Sequence, residues 1–314
     1  MAAAKRIDQL VNIARLYYEH NYTQQMIAEK TGLSRPYISK LLDEARESGI
    51  VEIRINDPNG TESKLERNLK EKFGLKKAIA TPLTGAPEVS LFSKLSVALS
   101  RYLNTIISDG DIIGVSWGTT LYTCSMRLRV VEQMPNIKVV QMCGAVSMAD
   151  RDIYASEIPK KFAEAFGGTP YLLPLPAVVD NIEAKNAIVK DKSISSILKL
   201  AQRANVAICS VGVFDHDRTL CRAGYVSHQQ VDELLAKGAV GDMCSRIITA
   251  DGRVCDPELN SRTIGIELND LKAKEHSILV SGGLEKVECI KAALTGGYAN
   301  VLITDENVGY ELLS

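Results

Sequence analysis

Hydrophobic positions in residues 24–42, QQMIAEKTGLSRPYISKLL, recur at the spacing of two short helices joined by a tight turn. Ala28 falls where such helices would cross, Gly32 at the turn, and Ile38 and Leu41 on the inner face of the second helix. A small residue at the crossing lets the backbones approach, and glycine supplies the positive φ of a sharp turn. The pattern predicts a helix-turn-helix. Its second helix begins at Ser34, whose hydroxyl caps it, and Pro36 is tolerated in the first turn. Arg35, Tyr37, Ser39 and Lys40 then project outward, while Ile38, Leu41 and Leu42 pack inward.

The alternating residues 51–55 predict a small wing or strand, and NDPNG (56–60) marks a boundary. In TESKLERNLKEKFGL (61–75), Leu65, Leu69 and Phe73 recur at helical spacing, which predicts a linker helix with one apolar stripe suited to a partner subunit. From Lys76 onward, short apolar runs alternate with amphipathic helices. The runs lie at 78–83, 111–117, 137–142, 171–176, 206–213, 277–283 and 300–305, with helical patterns at 89–107, 156–166, 193–203 and 286–294. Strands too apolar to alternate, separated by helices, predict an α/β domain with a doubly wound, mainly parallel sheet covered on both faces. The expected organisation is a DNA-binding module over 1–56, a linker helix over 57–75 and a ligand-binding and oligomerisation domain over 76–314.

Composition narrows the partners. A length of 314 residues, 46% hydrophobic and 24% charged, suits two globular domains. The net charge of -1 argues against a general polyanion binder, so DNA affinity must come from a local patch or from dimerisation. Seven scattered cysteines, with no Cys-x-x-Cys pair and no Cys/His metal spacing, read as reduced thiols, and no metal or cofactor is expected. The N-terminus lacks a signal-peptide pattern and no segment has the length to cross a membrane, so the expected location is cytoplasmic.

The unusual residues lie at helix starts. Arg35, Tyr37, Ser39 and Lys40 offer two cations and two hydroxyls and no acid, which suits base edges and phosphates. With Gln24 and Ser34 they form the expected DNA-contacting set; the alternative is an ordinary solvated face on a helical hairpin. After the run DIIGVS the chain reads Trp117, Gly118, Thr119, Thr120 and enters a helix, a natural anion cradle of free N–H groups at the positive end of a helix dipole. A second junction, SGGLEK, supplies Gly282, Gly283 and Lys286. Two such junctions favour a phosphorylated ligand, against the alternative of two structural turns. The P-loop pattern is absent.

The helix-turn-helix, GDIIGVSWGTT, LPLPAVVDN, AVGDMCSR, RTIGIELNDLK, SGGLEKVECIKAALTGGYANVLITDE and YELL together resemble the SorC family of sugar-responsive bacterial transcription regulators, in particular its deoxyribonucleoside regulator branch. The resemblance spans nearly the whole chain. It implies a tetrameric regulator, a repressor of a carbohydrate or nucleoside catabolic operon, whose C-terminal domain is similar to sugar-phosphate isomerases. It further implies operator DNA with inverted symmetry and a phosphorylated sugar effector on Gly118, Thr119 and Thr120 with Lys286 opposite. Arg222 and Asp242 match positions that approach the sugar; the alternatives are a surface arginine and a helix-capping aspartate. Where the resembling branch carries a lysine able to form a Schiff base, this chain has Cys143, expected as a small wall of the pocket. Binding is therefore expected to be noncovalent.

A sugar-phosphate isomerase or lyase fused to a DNA-binding module is the competing class. Such chemistry needs a positioned base, and His20, His216, His228 and His276 lie in no motif that supplies one. The expectation is a regulator without catalytic residues.

Overall fold

Threonine and serine hydroxyls start the second and third helices of the chain, and a left-handed glycine lies between those two. A computed structural model describes residues 2–20, 22–48, 50–51, 62–83, 88–145, 154–216 and 224–314. The chain forms two compact units, whose described residues run 2–51 and 62–314.

The first unit comprises α1 (Ala2–Tyr18), α2 (Gln24–Thr31) and α3 (Arg35–Glu47). Thr23 accepts from the Met26 N–H, and Ser34 from the Tyr37 N–H, each satisfying an otherwise orphaned donor. Gly32, at φ 72°, ends α2 by donating to the Ala28 carbonyl. Ile27, Ala28, Ile38, Leu41, Leu42 and Ala45 close on Leu10, Ile13 and Ala14 of α1. Only Val51 of the expected wing falls within the described residues.

The second unit begins with α4 (Lys64–Phe73), β1 (Lys77–Thr81), α5 (Glu88–Ile106), β2 (Ile112–Val115), α6 (Thr119–Met126), β3 (Lys138–Gln141), α7 (Glu157–Phe166) and β4 (Thr169–Tyr171). It continues through α8 (Ile182–Lys190), α9 (Lys192–Gln202), β5 (Val206–Cys209), β6 (Val211–Val213), α10 (His228–Ala236), β7 (Ala239–Met243) and β8 (Arg246–Thr249). The last elements are α11 (Pro257–Arg262), α12 (Leu268–Lys272), β9 (His276–Val280), a 3-10 turn at Leu284–Lys286, α13 (Val287–Thr295), β10 (Val301–Asp305) and α14 (Glu306–Leu313).

Seven strands form one parallel sheet in the order β1-β10-β9-β5-β2-β3-β4. From β2 the chain proceeds outward through β3 to β4; from β5 it proceeds the other way through β9 and β10. The crevice between the carboxyl ends of β2 and β5 is therefore the topological switch point, where open α/β sheets bind ligands.

Three features differ from the sequence expectation. The apolar stripe of α4 is taken up within its own chain: Leu65 and Leu69 are buried, and Leu65 lies against Gly309 of α14. This helix thus packs as part of the second unit. The run 206–213 breaks at Ser210, after which β6 joins a separate antiparallel sheet with β7 and β8. The β7–β8 hairpin was not anticipated. Its two-residue turn, Cys244 and Ser245 at φ 52° and 65°, lacks the glycine or asparagine that normally announces such a turn. Gly241 lets the hairpin settle on α13, since a Cβ there would lie 2.4 Å from the Cβ of Cys289.

Candidate functional site

In the first unit, Arg35 and Lys40 stand exposed on α3, and Ser34 is committed to capping. Gln24, half-buried, shares an open groove with Arg35, Tyr17 and Tyr22. Ser39 is half-buried. Tyr37 departs from the expectation of an outward donor: its hydroxyl accepts from Arg6 Nη1 at 2.9 Å, and the guanidinium lies 5.8 Å from its ring centroid. Arg6 also donates through Nε to Glu44 at 2.9 Å. This pairing holds the Glu44 carboxyl below its usual range, mainly through the Arg6 hydrogen bond. Tyr37 therefore ties α3 to α1.

At the switch point of the second unit lies a cavity of about 90 Å³. Strand ends supply Ser116 and Ser210, the β2–α6 junction supplies Gly118, Thr119 and Thr120, and the hairpin supplies Asp242 and Ser245, with Lys286 from the 3-10 turn. Gly118, at φ 127°, precedes α6, and no side chain among the described residues caps that helix, so its first N–H groups are available donors. Lys286 Nζ donates to Thr120 Oγ1 at 3.3 Å. The cation and the helix terminus thus meet at one edge.

The second junction differs from expectation. Gly283 N–H donates to Asp305 Oδ2 at 2.9 Å, and a Cβ on Gly282 would come within 2.7 Å of the same oxygen. Asp305 is fully buried and also caps α14 through the Val308 N–H. That junction is occupied by a carboxylate of the chain itself, and it contributes only Lys286 to the cavity.

Asp242 is half-buried and lines the cavity, with Oδ1 packed against Gly212. Burial pushes its carboxyl up to about 7, against the opposing pull of Lys286 and of the Ser245 N–H. A carboxyl of this kind can accept or donate near neutral pH.

Cys143 does not line the cavity, which corrects the expectation of a pocket wall. It is fully buried behind the hairpin turn, bridged to Gly265, with its thiol meeting Cys244 and Ser245. Gly265, at φ 150°, leaves no room for a side chain, because a Cβ there would fall 2.8 Å from Cys143 Cβ. The hydrogen bond to Cys244 and burial raise the Cys143 thiol well above its ordinary value, so it stays protonated. Cys244 in turn lies 3.6 Å, sulfur to sulfur, from Cys209. Arg222 lies outside the described residues.

Sequence reasoning missed Ser116, Ser210 and Ser245. Ser116 and Ser210 had a readable signal, a hydroxyl directly after an apolar strand. Ser245 had none, because its role depends on the unannounced hairpin. Among the described residues, no three His, Cys, Asp or Glu side chains are grouped to hold a metal, and no helix is long and apolar enough to cross a membrane.

The family described as "Putative sugar-binding domain" matches residues 57–314. The chain is 42% identical over 304 residues to the deoxyribonucleoside regulator of Bacillus subtilis, covering 97% of this chain and 96% of that protein. It is 31% identical over 306 residues to the sorbitol operon regulator of Klebsiella pneumoniae, with 97% of each covered. The crystal structure of the full-length sorbitol operon regulator SorC from Klebsiella pneumoniae superposes with a TM-score of 0.74 at 30% identity, over 98% of this chain and 99% of that one. A helical N-terminal unit, a mainly parallel sheet with a polar cavity at its switch point and full-length kinship agree, and the chain belongs to the SorC family of sugar-binding transcription regulators.

Proposed function

We propose that this regulator represses a carbohydrate or nucleoside catabolic operon and is switched by noncovalent binding of a phosphorylated sugar. The observation that carries the reading is the convergence of the uncapped α6 terminus at Gly118, Thr119 and Thr120 with Lys286 on one cavity. Free N–H donors at the positive end of a helix favour an anion, and Lys286 beside them adds a positive charge. Asp242 offers the hydroxylated part of the ligand a partner.

Cys143, a buried protonated thiol that does not line the cavity, stands where the resembling branch carries an imine-forming lysine, which supports noncovalent binding. Arg35 and Lys40 of α3, with Gln24, read the operator as one of several copies in a homo-oligomer, a tetramer. Paired modules then contact half-sites related by inverted symmetry, about 34 Å or a multiple of that apart.

A mobility-shift titration on the chain's own promoter region tests the reading. Phosphorylated sugars should change DNA affinity, while the same sugars without phosphate leave it unchanged at equal concentration. Equal responses to both forms would remove the anion-cradle reading.

A further inference from the structure

Among the described residues, four hydroxyls at the carboxyl ends of adjacent strands have no hydrogen-bond partner: those of Ser116, Ser210, Ser281 and Thr304. The strands β10, β9, β5 and β2 that carry them or lead into them lie side by side. Ser281 and Thr304 are fully buried and stand away from the cavity, whereas Ser116 and Ser210 line it. Ser116 is 3% exposed. Its own N–H is committed to the Ile208 carbonyl at 3.1 Å, and that bond fixes the residue at the β2–β5 seam.

A hydroxyl with no partner in the protein is an open donor and acceptor. Buried polar groups in proteins are nearly always satisfied, so two unsatisfied hydroxyls in one cavity point to a ligand that completes them. Asp242 completes the set from the facing hairpin, with Oδ1 over Gly212, two residues beyond Ser210. These three groups can each accept a hydrogen bond, and the two serines can also donate. None carries a positive charge. The anion donors, Gly118 to Thr120 and Lys286, sit on the α6 start and the 3-10 turn instead.

We infer that Ser116, Ser210 and Asp242 form a hydroxyl-reading subsite, so that the effector is a monophosphorylated sugar or polyol whose hydroxyls remote from the phosphate are intact. Its deoxy counterpart would leave these groups unpaired and is rejected. A site built to hydrogen-bond a hydroxyl discriminates strongly against the analogue that lacks it, because the protein group stays desolvated with no partner. This inference rests on the phosphosugar reading and sharpens its ligand class.

The test is calorimetric titration of the full chain with two matched pairs: ribose 5-phosphate against 2-deoxyribose 5-phosphate, and glucose 6-phosphate against 2-deoxyglucose 6-phosphate. Inorganic phosphate serves as the common reference. In a pair that binds, the parent sugar should bind at least about tenfold tighter than its deoxy form. That ratio should fall below about threefold in Ser116→Ala or Ser210→Ala. Because the hydroxyl of Ser116 has no partner among the described residues, Ser116→Ala should melt at or above the temperature of the parent protein, which separates lost selectivity from lost folding. A deoxy sugar that binds as tightly as its parent overturns the inference and leaves the phosphosugar reading standing. So does a ratio unchanged in both serine variants, a lower melting temperature for Ser116→Ala, or phosphate binding that no sugar improves. No binding of any sugar or of phosphate removes both readings together.

Discussion

Trp117 Nε1 donates to Ser245 Oγ at 3.2 Å, joining the end of β2 to the tip of the β7–β8 hairpin across the wall of the cavity. Trp117 is the chain's only tryptophan, so its fluorescence reports on this one link. Binding of a phosphosugar should shift or quench the emission, and Ser245→Ala should change the unliganded spectrum. That variant should also lose about 0.5 to 1.5 kcal/mol of stability, the net worth of one hydrogen bond. An emission insensitive to a ligand that calorimetry shows to bind would place the ligand elsewhere.

Asp242 makes stability depend on pH with a definite sign. Its folded-state value of about 7 stands above the ordinary 3.8, so between those values the folded chain holds more protons than the unfolded one. Stability contributed by this group is complete below pH 3.8 and is lost as pH rises through about 7. With cavity water screening part of the effect, Asp242→Asn should raise stability at pH 8 by on the order of 2 kcal/mol. Urea melts at pH 5 and pH 8 check this. The difference between variant and parent should shrink at the lower pH.

Lys286 carries the charge test. Lys286→Ala should weaken a phosphosugar about tenfold or more and the unphosphorylated sugar far less, since a charge-assisted hydrogen bond is worth about 1.5 to 3 kcal/mol. Calorimetry on both ligands measures it. Equal losses would mean that Lys286 acts structurally, through contacts such as that to Thr120 Oγ1.

Two substitutions on α3 should separate DNA reading from helix packing. Arg35→Ala, at an exposed side chain, should cost about 1 to 3 kcal/mol of operator affinity if it reads a base, with the melting temperature unchanged. Tyr37→Phe removes one acceptor of Arg6 and should lower stability by about 0.5 to 1.5 kcal/mol while preserving operator preference. Fluorescence anisotropy with labelled operator, alongside thermal melts, distinguishes them.

Arg246 anchors the hairpin from behind. Its side chain has no exposure, and its guanidinium donates to the Ile266 carbonyl at 2.8 Å, to Asn260 Oδ1 at 2.5 Å and to Glu267 Oε1 at 2.8 Å. Arg246→Met should cost about 3 kcal/mol or more, because several acceptors lose their donor at once. It should also loosen Cys244 and Ser245, its neighbours in the turn. Chemical denaturation gives the first effect and Trp117 emission the second.

Local pattern made much of this chain legible. Gly32 announced the turn after α2 because only a residue without Cβ adopts φ 72° freely, and the caps at Thr23 and Ser34 use oxygens that the sequence names. The parallel strands were readable because a sheet covered on both faces needs continuous apolar runs, as in residues 112–115 and 206–209. Gly118 and Lys286 were legible as chemistry at strand ends. By contrast, Gly283 looked like a free anion donor, and only the fold brings Asp305 to it from 22 residues away. Leu65 and Leu69 declared an apolar stripe without declaring its partner, which the fold supplies as α14.

The sequence by itself determined the helix-turn-helix elements, most strands of the parallel sheet and the glycine-led start of α6, because those follow from the periodicity and side-chain chemistry of neighbouring residues. Tertiary structure decided which groups meet. Ser116 and Ser210 share a cavity because β2 and β5 pair where the winding of the sheet reverses, and Cys143 is shut away because Gly265 and the Cys244–Ser245 turn close over it. Such meetings join residues about a hundred positions apart, and their free energy comes from burial and register across the sheet, which no local pattern encodes.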